Sequence, residues 1–390
     1  MPSSYPPPGL SRPAAPPTFR EKINRFWLRV TEGLELNQLW SQFEKDARAS
    51  YRLYSKDLDN RPEDLTHGRR VLHVARQFFW AVLEKLSPAR RLLLLIALVL
   101  LIFNPEFGWH DQAGNMHVVS FEYRLVGGLV LLLVLILEVG DRVVMKRDLE
   151  IAREIQGWLL PNHPPAIPGF EVAFQTRPAN TVAGDYYDMF FRPGRSPEDQ
   201  RVLLAVADVA GKSIPAAMLM ATFQASLRTL AVTHSSLREL ITSVNRYACT
   251  NSQGGLRFTT AFLAELDPAT RTLTYINAGH NQPMLCRKSG MLERLDIGGL
   301  PIGITADAQY ESGCVALGSG DWLVIFTDGV VEAVNTLDEE YGEQRLLAIV
   351  ASGANATPTE MMQRILTGLD VFVGNTPQHD DVTCLLLKVT

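Results

Sequence analysis

Residues 202–220 read V-L-L-A-V-A-D-V-A-G-K-S-I-P-A-A-M-L-M. The apolar run 202–207 is short, rich in Val and Leu, and stops at an acid, Asp208; a glycine-bearing turn follows, and a helix opens at Ser213-Ile214-Pro215. This is the pattern of a buried strand feeding a helix. The strand holds the Asp208 carboxylate at the edge of a packed sheet, on the kind of rigid element that a metal ligand requires.

By itself Asp208 is better explained as a turn residue. The pattern recurs, however. Val182-Ala183-Gly184-Asp185-Tyr186-Tyr187-Asp188 places an acid after a small-residue turn, and Trp322-Leu323-Val324-Ile325-Phe326-Thr327-Asp328-Gly329 is a second buried run ending in Asp-Gly. His379-Asp380-Asp381-Val382-Thr383 sets two acids directly before the run 382–389. Four acidic strand ends, with almost no His or Cys beside them, describe an all-oxygen site for hard divalent cations such as Mg²⁺ or Mn²⁺. Asp188 and Asp381 are duplicate acids, read as outer or solvated neighbours of that site.

Seven ordered motifs carry a family resemblance: V-A-G-D-Y-Y-D, D-V-A-G-K-S-I-P-A-A-M-L-M-A, F-T-T-A-F-L-A-E-L-D-P, Y-I-N-A-G-H-N-Q-P, L-D-I-G-G-L-P-I-G-I, F-T-D-G-V-V-E-A and D-D-V-T. Together they resemble the SpoIIE-like, RsbU-like branch of the metal-dependent PPM serine/threonine phosphatases, over about residues 151–390. The resemblance implies an α+β fold, an αββα β-sandwich of two antiparallel sheets flanked by helices. It makes Asp185, Asp208, Asp328 and Asp380 the catalytic, metal-binding acids and the Val209 carbonyl a backbone ligand. Asp208 would bridge two Mn²⁺ or Mg²⁺ ions, Asp328 and Asp380 would complete one, and Asp185 would reach the other, or a third ion, through water. Two ions about 3.5 to 4 Å apart can activate a water for in-line attack on phosphorus without a covalent enzyme intermediate. The implied substrate is a phosphoserine or phosphothreonine on a small STAS-domain anti-anti-sigma protein, and the implied assembly is a homodimer. Ser213 departs from the family's G-K-G pattern and is read as the N-cap of the following helix. His280, in Asn277-Ala278-Gly279-His280-Asn281, is read as a turn-stabilising residue or as an acid near the leaving group.

Around the motifs, residues 161–390 alternate blocks of strands and helices. Strands are expected at 170–177, 186–191, 202–207, 259–266, 272–277, 283–287, 322–326 and 382–389, and helices at 215–232 and 237–251. Asp267-Pro268-Ala269-Thr270-Arg271 is a hairpin signal, and strands joined by hairpins argue for antiparallel sheets. Competing chemistries fit poorly: none of the cysteines is followed by a phosphate-cradling Gly-rich loop and Arg, and Gly211-Lys212-Ser213 is only a fragment of a nucleotide loop. A catalytically silent binding protein of the same fold is the alternative to an enzyme, and retention of all four acids argues against it.

The 390 residues, 46% hydrophobic with a net charge of −5, describe a globular protein of two or three units with no nucleic-acid footprint. Cys249, Cys286, Cys314 and Cys384 have neither zinc nor disulfide spacing, which suits a reducing compartment. Residues 1–18 form a Pro-rich disordered lead, and 19–91 a helical cytoplasmic region without a sensor motif. Two apolar runs, 92–103 and 125–137, fall within an expected transmembrane hairpin at 92–139. Arg90 and Arg91 before it and Arg142, Lys146 and Arg147 after it place both ends in the cytoplasm, giving a two-pass protein of the bacterial inner membrane. Each run is short for a bilayer of about 30 Å, so a buried hairpin in a soluble domain is the competing reading. A helical linker follows at 140–160. Its stripe Val144, Ile151, Ile155, Trp158 is suited either to pairing with a second chain as a short coiled coil or to packing on its own domain.

Overall fold

The computed structural model describes residues 79, 80, 83, 85–103, 107–110, 116–119, 122–192, 201–252, 254–353 and 355–390. The lead at 1–18 and most of the region at 19–91 lie outside them. The chain divides into two compact units, Met1–Val139 and Gly140–Thr390.

In the first unit, helix α1 (Pro88–Phe103) is followed by a two-stranded antiparallel ribbon, β1 (Phe107–His110) and β2 (Met116–Val119), and by the start of helix α2 (Tyr123–Leu159). Ala97 is fully buried, and Arg90 meets Glu138 at 3.2 Å, which neutralises charge at one end of the helix pair. The outer faces are apolar and exposed, with Leu92, Val99 and Ile102 on α1 and Leu125, Leu129 and Ile136 on α2. Among the described residues, no helix is long and apolar enough to cross a membrane. The reason is the length of the uncharged runs, about 18 and 20 Å at 1.5 Å per residue against about 30 Å of hydrocarbon. The expected bilayer span is therefore not borne out by helix length.

The α2 helix is 37 residues long in all. Its stripe Val144, Ile151, Ile155 and Trp158 is exposed rather than packed on its own domain, Trp158 to 73%.

The second unit continues with β3 (Phe170–Arg177), β4 (Tyr186–Phe191), β5 (Val202–Val209), α3 (Ser213–Thr233), α4 (Leu237–Thr250), β6 (Thr259–Asp267) and β7 (Thr272–Ala278). Then come β8 (Met284–Cys286), β9 (Leu292–Arg294), β10 (Gly298–Gly299), β11 (Gly313–Ala316), β12 (Trp322–Phe326), α5 (Asp328–Val331), α6 (Gly342–Ser352), α7 (Pro358–Val373) and β13 (Val382–Val389). One sheet runs β10-β7-β6-β5-β4, with β11 also on β7, and the other runs β3-β13-β12-β8-β9. All pairings are antiparallel except the two-residue contact of β10 with β7.

Alternation along β5 explains the layers. Val202, Leu204 and Val206 point between the sheets, where they meet Leu323, Ile325, Leu385 and Leu387. Leu203, Ala205 and Ala207 point the other way, under Met220, Leu227, Leu240 and Ile241 of α3 and α4. The far sheet repeats the plan: Val324, Phe326 and Leu386 are covered by Leu346, Met361 and Ile365 of α6 and α7. A strand buried on both faces has no polar alternation to show, which is why 202–207 reads as a continuous apolar run. The result is the expected αββα sandwich.

Expected strand and helix ends agree with the observed ones within two residues. The helices α6 and α7 and the short strands β9, β10 and β11 were not anticipated. A signal existed for α7: Thr357 and Glu360 close a capping box in front of Met361, and Pro358 opens the helix. The reading of Ser213 as an N-cap is corrected. Lys212 occupies the cap position, no side chain caps it, and Ser213 is the first helical residue with φ of 64°. That left-handed backbone is the conformation a glycine would take without strain.

Candidate active site

Each acidic residue is delivered by the end of a packed element. Asp208 is the penultimate residue of β5, Asp328 opens α5 directly after β12, and Asp380 stands two residues before β13. Asp185 precedes β4 and is 1% exposed. The antiparallel β12–β13 pairing, with Phe326 opposite Cys384, brings Asp328 and Asp380 to the same edge. Gly329 makes the approach possible: a Cβ there would lie 2.0 Å from the Asp381 carbonyl oxygen. The Asp-Gly pair is thus a steric requirement of two crossing backbones.

Asp185 is brought to this edge by a loop held at several points. Asp381 is 9% exposed, and it accepts hydrogen bonds from the amides of Ala179 at 2.7 Å and Gly184 at 2.6 Å. The Thr327 hydroxyl donates to Asp185 Oδ2 at 2.9 Å and accepts from the Thr383 amide at 3.0 Å. Gly184 fits against α3 and the end of β5, where a Cβ would meet the Ala216 Cβ at 3.1 Å and the Val209 carbonyl oxygen at 3.3 Å. Val209 therefore turns its carbonyl toward the loop that carries Asp185.

Electrostatics show how crowded the acids are. Burial, then Asp328, Asp380 and Asp381, push the Asp208 carboxyl up to about 7. Burial and then Asp208 raise Asp185 well above the usual carboxylate range. Burial and then Asp380 raise Asp328. Lys212 answers part of this charge, its Nζ lying 2.9 Å from Asp380 Oδ2. Among the described residues, no three His, Cys, Asp or Glu side chains form a ready-made metal cage. The donor set nevertheless fits hard divalent cations. Carboxylates that raise one another's pKa are the groups that such ions stabilise in their charged form. A cleft of about 530 Å³ opens beside Asp380, bordered by Arg177, Lys212, Glu332, Leu369 and Gln378.

The duplicate acids are neither solvated nor idle. Asp188 is 0% exposed and accepts from Arg228 Nε at 2.6 Å and Nη2 at 2.7 Å, from the Tyr186 hydroxyl at 2.6 Å and from the Met189 amide at 2.8 Å. Arg228 also lies 4.0 Å above the Phe190 ring, so this network ties α3 to β4. Removing Arg228 would leave the buried Asp188 carboxylate without its cation, which is destabilising even though Arg228 itself is partly exposed. Neither Asp188 nor Asp381 was expected to be buried. Thr327 was missed altogether, although its place before Asp328 was the available signal.

His280 belongs with the turn rather than the chemistry. It is 5% exposed, its amide donates to Asn277 Oδ1 at 2.7 Å, and its Nδ1 pairs with the Thr260 hydroxyl at 3.2 Å. Burial lowers its pKa to about 4, offset only in part by the Phe326 backbone, and among the described residues its Nε2 has no hydrogen-bond partner. A histidine depressed in this way is neutral in the folded state at pH 7 and is held away from solvent.

Comparison with known proteins gives a consistent answer. Residues 198–390 match the family model described as Stage II sporulation protein E (SpoIIE). Protein IcfG of Synechocystis is 27% identical over 275 residues, covering 64% of this chain but 42% of its own length, so the chain spans less than half of that relative. The phosphoserine phosphatase RsbU of Bacillus subtilis is 27% identical over 250 residues, covering 64% of this chain and 72% of RsbU. Among solved structures, the PP2C domain of SiaA from Pseudomonas aeruginosa superposes with a TM-score of 0.56 at 20% identity, covering 64% of this chain and 99% of that one. The RsbU and RsbW domains of a Mycobacterium tuberculosis protein superpose with a TM-score of 0.50 at 24% identity, over 59% of this chain and 63% of theirs. These structural likenesses establish the fold.

The His280 environment sets a pH dependence. Because its folded pKa of about 4 lies below an unfolded value near 6.5, the unfolded chain binds more protons between those pH values. The contribution of a neutral His280 is thus fully present above pH 6.5 and is lost as pH falls toward 4, by up to ~3 kcal/mol. Urea unfolding of wild type and His280→Gln across this window should show stability falling more steeply toward acid in wild type than in the variant, the carboxylates contributing equally to both; parallel curves would contradict the assignment.

Proposed function

The C-terminal domain belongs to the SpoIIE-like, RsbU-like branch of the PPM metal-dependent serine/threonine phosphatases, and from that premise we propose that the chain hydrolyses phosphoserine or phosphothreonine on a regulatory protein. The observation that carries the proposal is the convergence of Asp185, Asp208, Asp328 and Asp380 at one end of the sandwich, with three of them shifted upward by burial and mutual repulsion. In this reading Asp208, the Val209 carbonyl, Asp328, Asp380 and Asp185 are the groups that would hold two, or three, Mn²⁺ or Mg²⁺ ions. The bound ions supply an activated water and offset the charge of the phosphoryl oxygens. The protein's own part is positioning. Thr327 orients the Asp185 carboxylate, Asp381 fixes the loop that carries it, and Lys212 brings a cation to the rim where a phosphoryl group arrives.

For the substrate, we propose a phosphorylated STAS-domain anti-anti-sigma protein. The cleft beside Asp380 is open at the surface and suits a chain segment on either side of the phosphoresidue. The proposed assembly is a homodimer joined through the exposed stripe on α2, whose Ile151, Ile155 and Trp158 otherwise stay in water. The proposed location is the bacterial inner membrane, with the α1–α2 pair seated as a two-pass hairpin through its exposed Leu, Ile and Val side chains and the phosphatase domain in the cytoplasm.

Asp208→Asn and Asp328→Asn should each lower Mn²⁺-dependent hydrolysis of p-nitrophenyl phosphate by roughly 100-fold or more, while circular dichroism remains that of a folded protein. Near wild-type rates for both variants at low-millimolar Mn²⁺ would remove the site. Substrate choice is read by comparing kcat/KM on phosphorylated STAS proteins from the same genome with that on an unrelated phosphopeptide. A preference of at least tenfold is expected, and equal rates would exclude the partner while leaving the phosphatase intact. Full-length protein should sediment with membranes and need detergent for release; recovery in the soluble fraction would favour a buried hairpin.

A further inference from the structure

Gln156 lies near the C-terminal end of α2 and is 7% exposed, on the side of the helix away from the exposed Ile151 and Trp158. Its side-chain amide meets both polar backbone groups of one residue. Nε2 donates to the Ala183 carbonyl at 2.7 Å, and Oε1 accepts from the Ala183 amide at 2.9 Å. A primary amide bound to both polar groups of one peptide residue mimics a strand neighbour and fixes that residue's rotation as well as its position. Ala183 is 1% exposed, so water cannot replace these bonds without opening the structure.

The residue held in this way starts the loop of the candidate site. Gly184 follows, wedged against Ala216 and the Val209 carbonyl oxygen, with its amide on Asp381 at 2.6 Å. Asp185 follows Gly184. From Gln156 to the Asp185 carboxylate there are thus two peptide units, and the loop is fixed from two directions, by Asp381 on one side and by α2 on the other.

We propose that Gln156 is a positioning residue for the metal site: its amide holds Ala183 so that Asp185 and the Val209 carbonyl face the same point. The role rests on the metal-dependent reading given above. It deepens that reading by making the site's readiness for cations depend on a side chain outside the phosphatase motifs, on a helix that runs back without a break to Tyr123. If the latch is removed, the loop adopts the competent arrangement only part of the time, and apparent affinity falls by that fraction. Saturating metal then selects the competent form again, so the maximal rate survives. A residue that merely contributed to stability would not separate these two quantities.

The experiment uses the full chain with Gln156→Ala and Gln156→Glu. Glutamate keeps an acceptor for the Ala183 amide but sets a second oxygen against the Ala183 carbonyl. Mn²⁺ binding is measured calorimetrically without substrate, alongside the Mn²⁺ dependence of p-nitrophenyl phosphate hydrolysis and the thermal midpoint of the metal-free protein. Both variants are expected to bind Mn²⁺ about tenfold more weakly, equivalent to about 1.4 kcal/mol, with kcat at saturating Mn²⁺ within about twofold of wild type. Unchanged Mn²⁺ affinity in Gln156→Ala, or a fall in kcat that saturating Mn²⁺ does not restore, overturns the proposal. Absence of Mn²⁺-dependent hydrolysis in wild type would instead overturn the phosphatase reading. If Gln156→Ala does not fold, Gln156→Glu decides by the same criteria.

Discussion

Repulsion among carboxylates is the constraint on which the rest of this molecule depends. Burial first, and then a neighbouring carboxylate, raises each of three acids: Asp208 acts on Asp185, Asp328 on Asp208, and Asp380 on Asp328, with Asp381 adding to all three. Left to themselves such groups would spread apart or take up protons. They are held because each leaves the end of an element that cannot move without disturbing a core. β5 is buried on both faces, β12 and β13 are paired in register, and Gly329 allows two backbones to cross where any side chain would collide. The sandwich converts apolar burial, worth about 25 cal/mol for each Å² removed from water, into the ability to keep like charges together.

Much of this was legible in the sequence because it follows from local rules. An apolar run that stops at an acid names both a strand and its functional end, and the run 202–209 behaves accordingly. What could not be read was the set of contacts made across long stretches of chain. Asp381 clamps Gly184 over a separation of 197 residues and Thr327 reaches Asp185 over 142, and no spacing rule links such partners. Asp188 reads only as an outer or solvated neighbour of the site because Arg228 lies 40 residues away, on a helix whose orientation only the fold decides. The helices α6 and α7 carry none of the motifs from which the site is read, although the capping box at Thr357 and Glu360 marks the start of α7.

Ser213 shows where the family pattern and the physics agree even though the residue differs. The turn from β5 into α3 needs a left-handed residue, and the backbone adopts φ of 64° there with a serine in place. An L-residue in that region carries a local cost of about 1 to 2 kcal/mol, which the surrounding packing of Ala216 and Met220 must offset. Strain of this kind beside Asp208 is tolerable because the strand below it is so firmly held.

The double-sided burial of β5 also sets an order of loosening. Its amides are shielded by β4 and β6, with a helix layer on one face and the second sheet on the other, so they open only with the whole domain, whereas the loop that bears Asp185 is fastened by a few side-chain hydrogen bonds. Asp208 thus belongs to the last part of the fold to melt, and Asp185 to a segment held less firmly. The chain can lose and regain its full set of carboxylates as a subglobal event, on a free-energy scale far below that of unfolding.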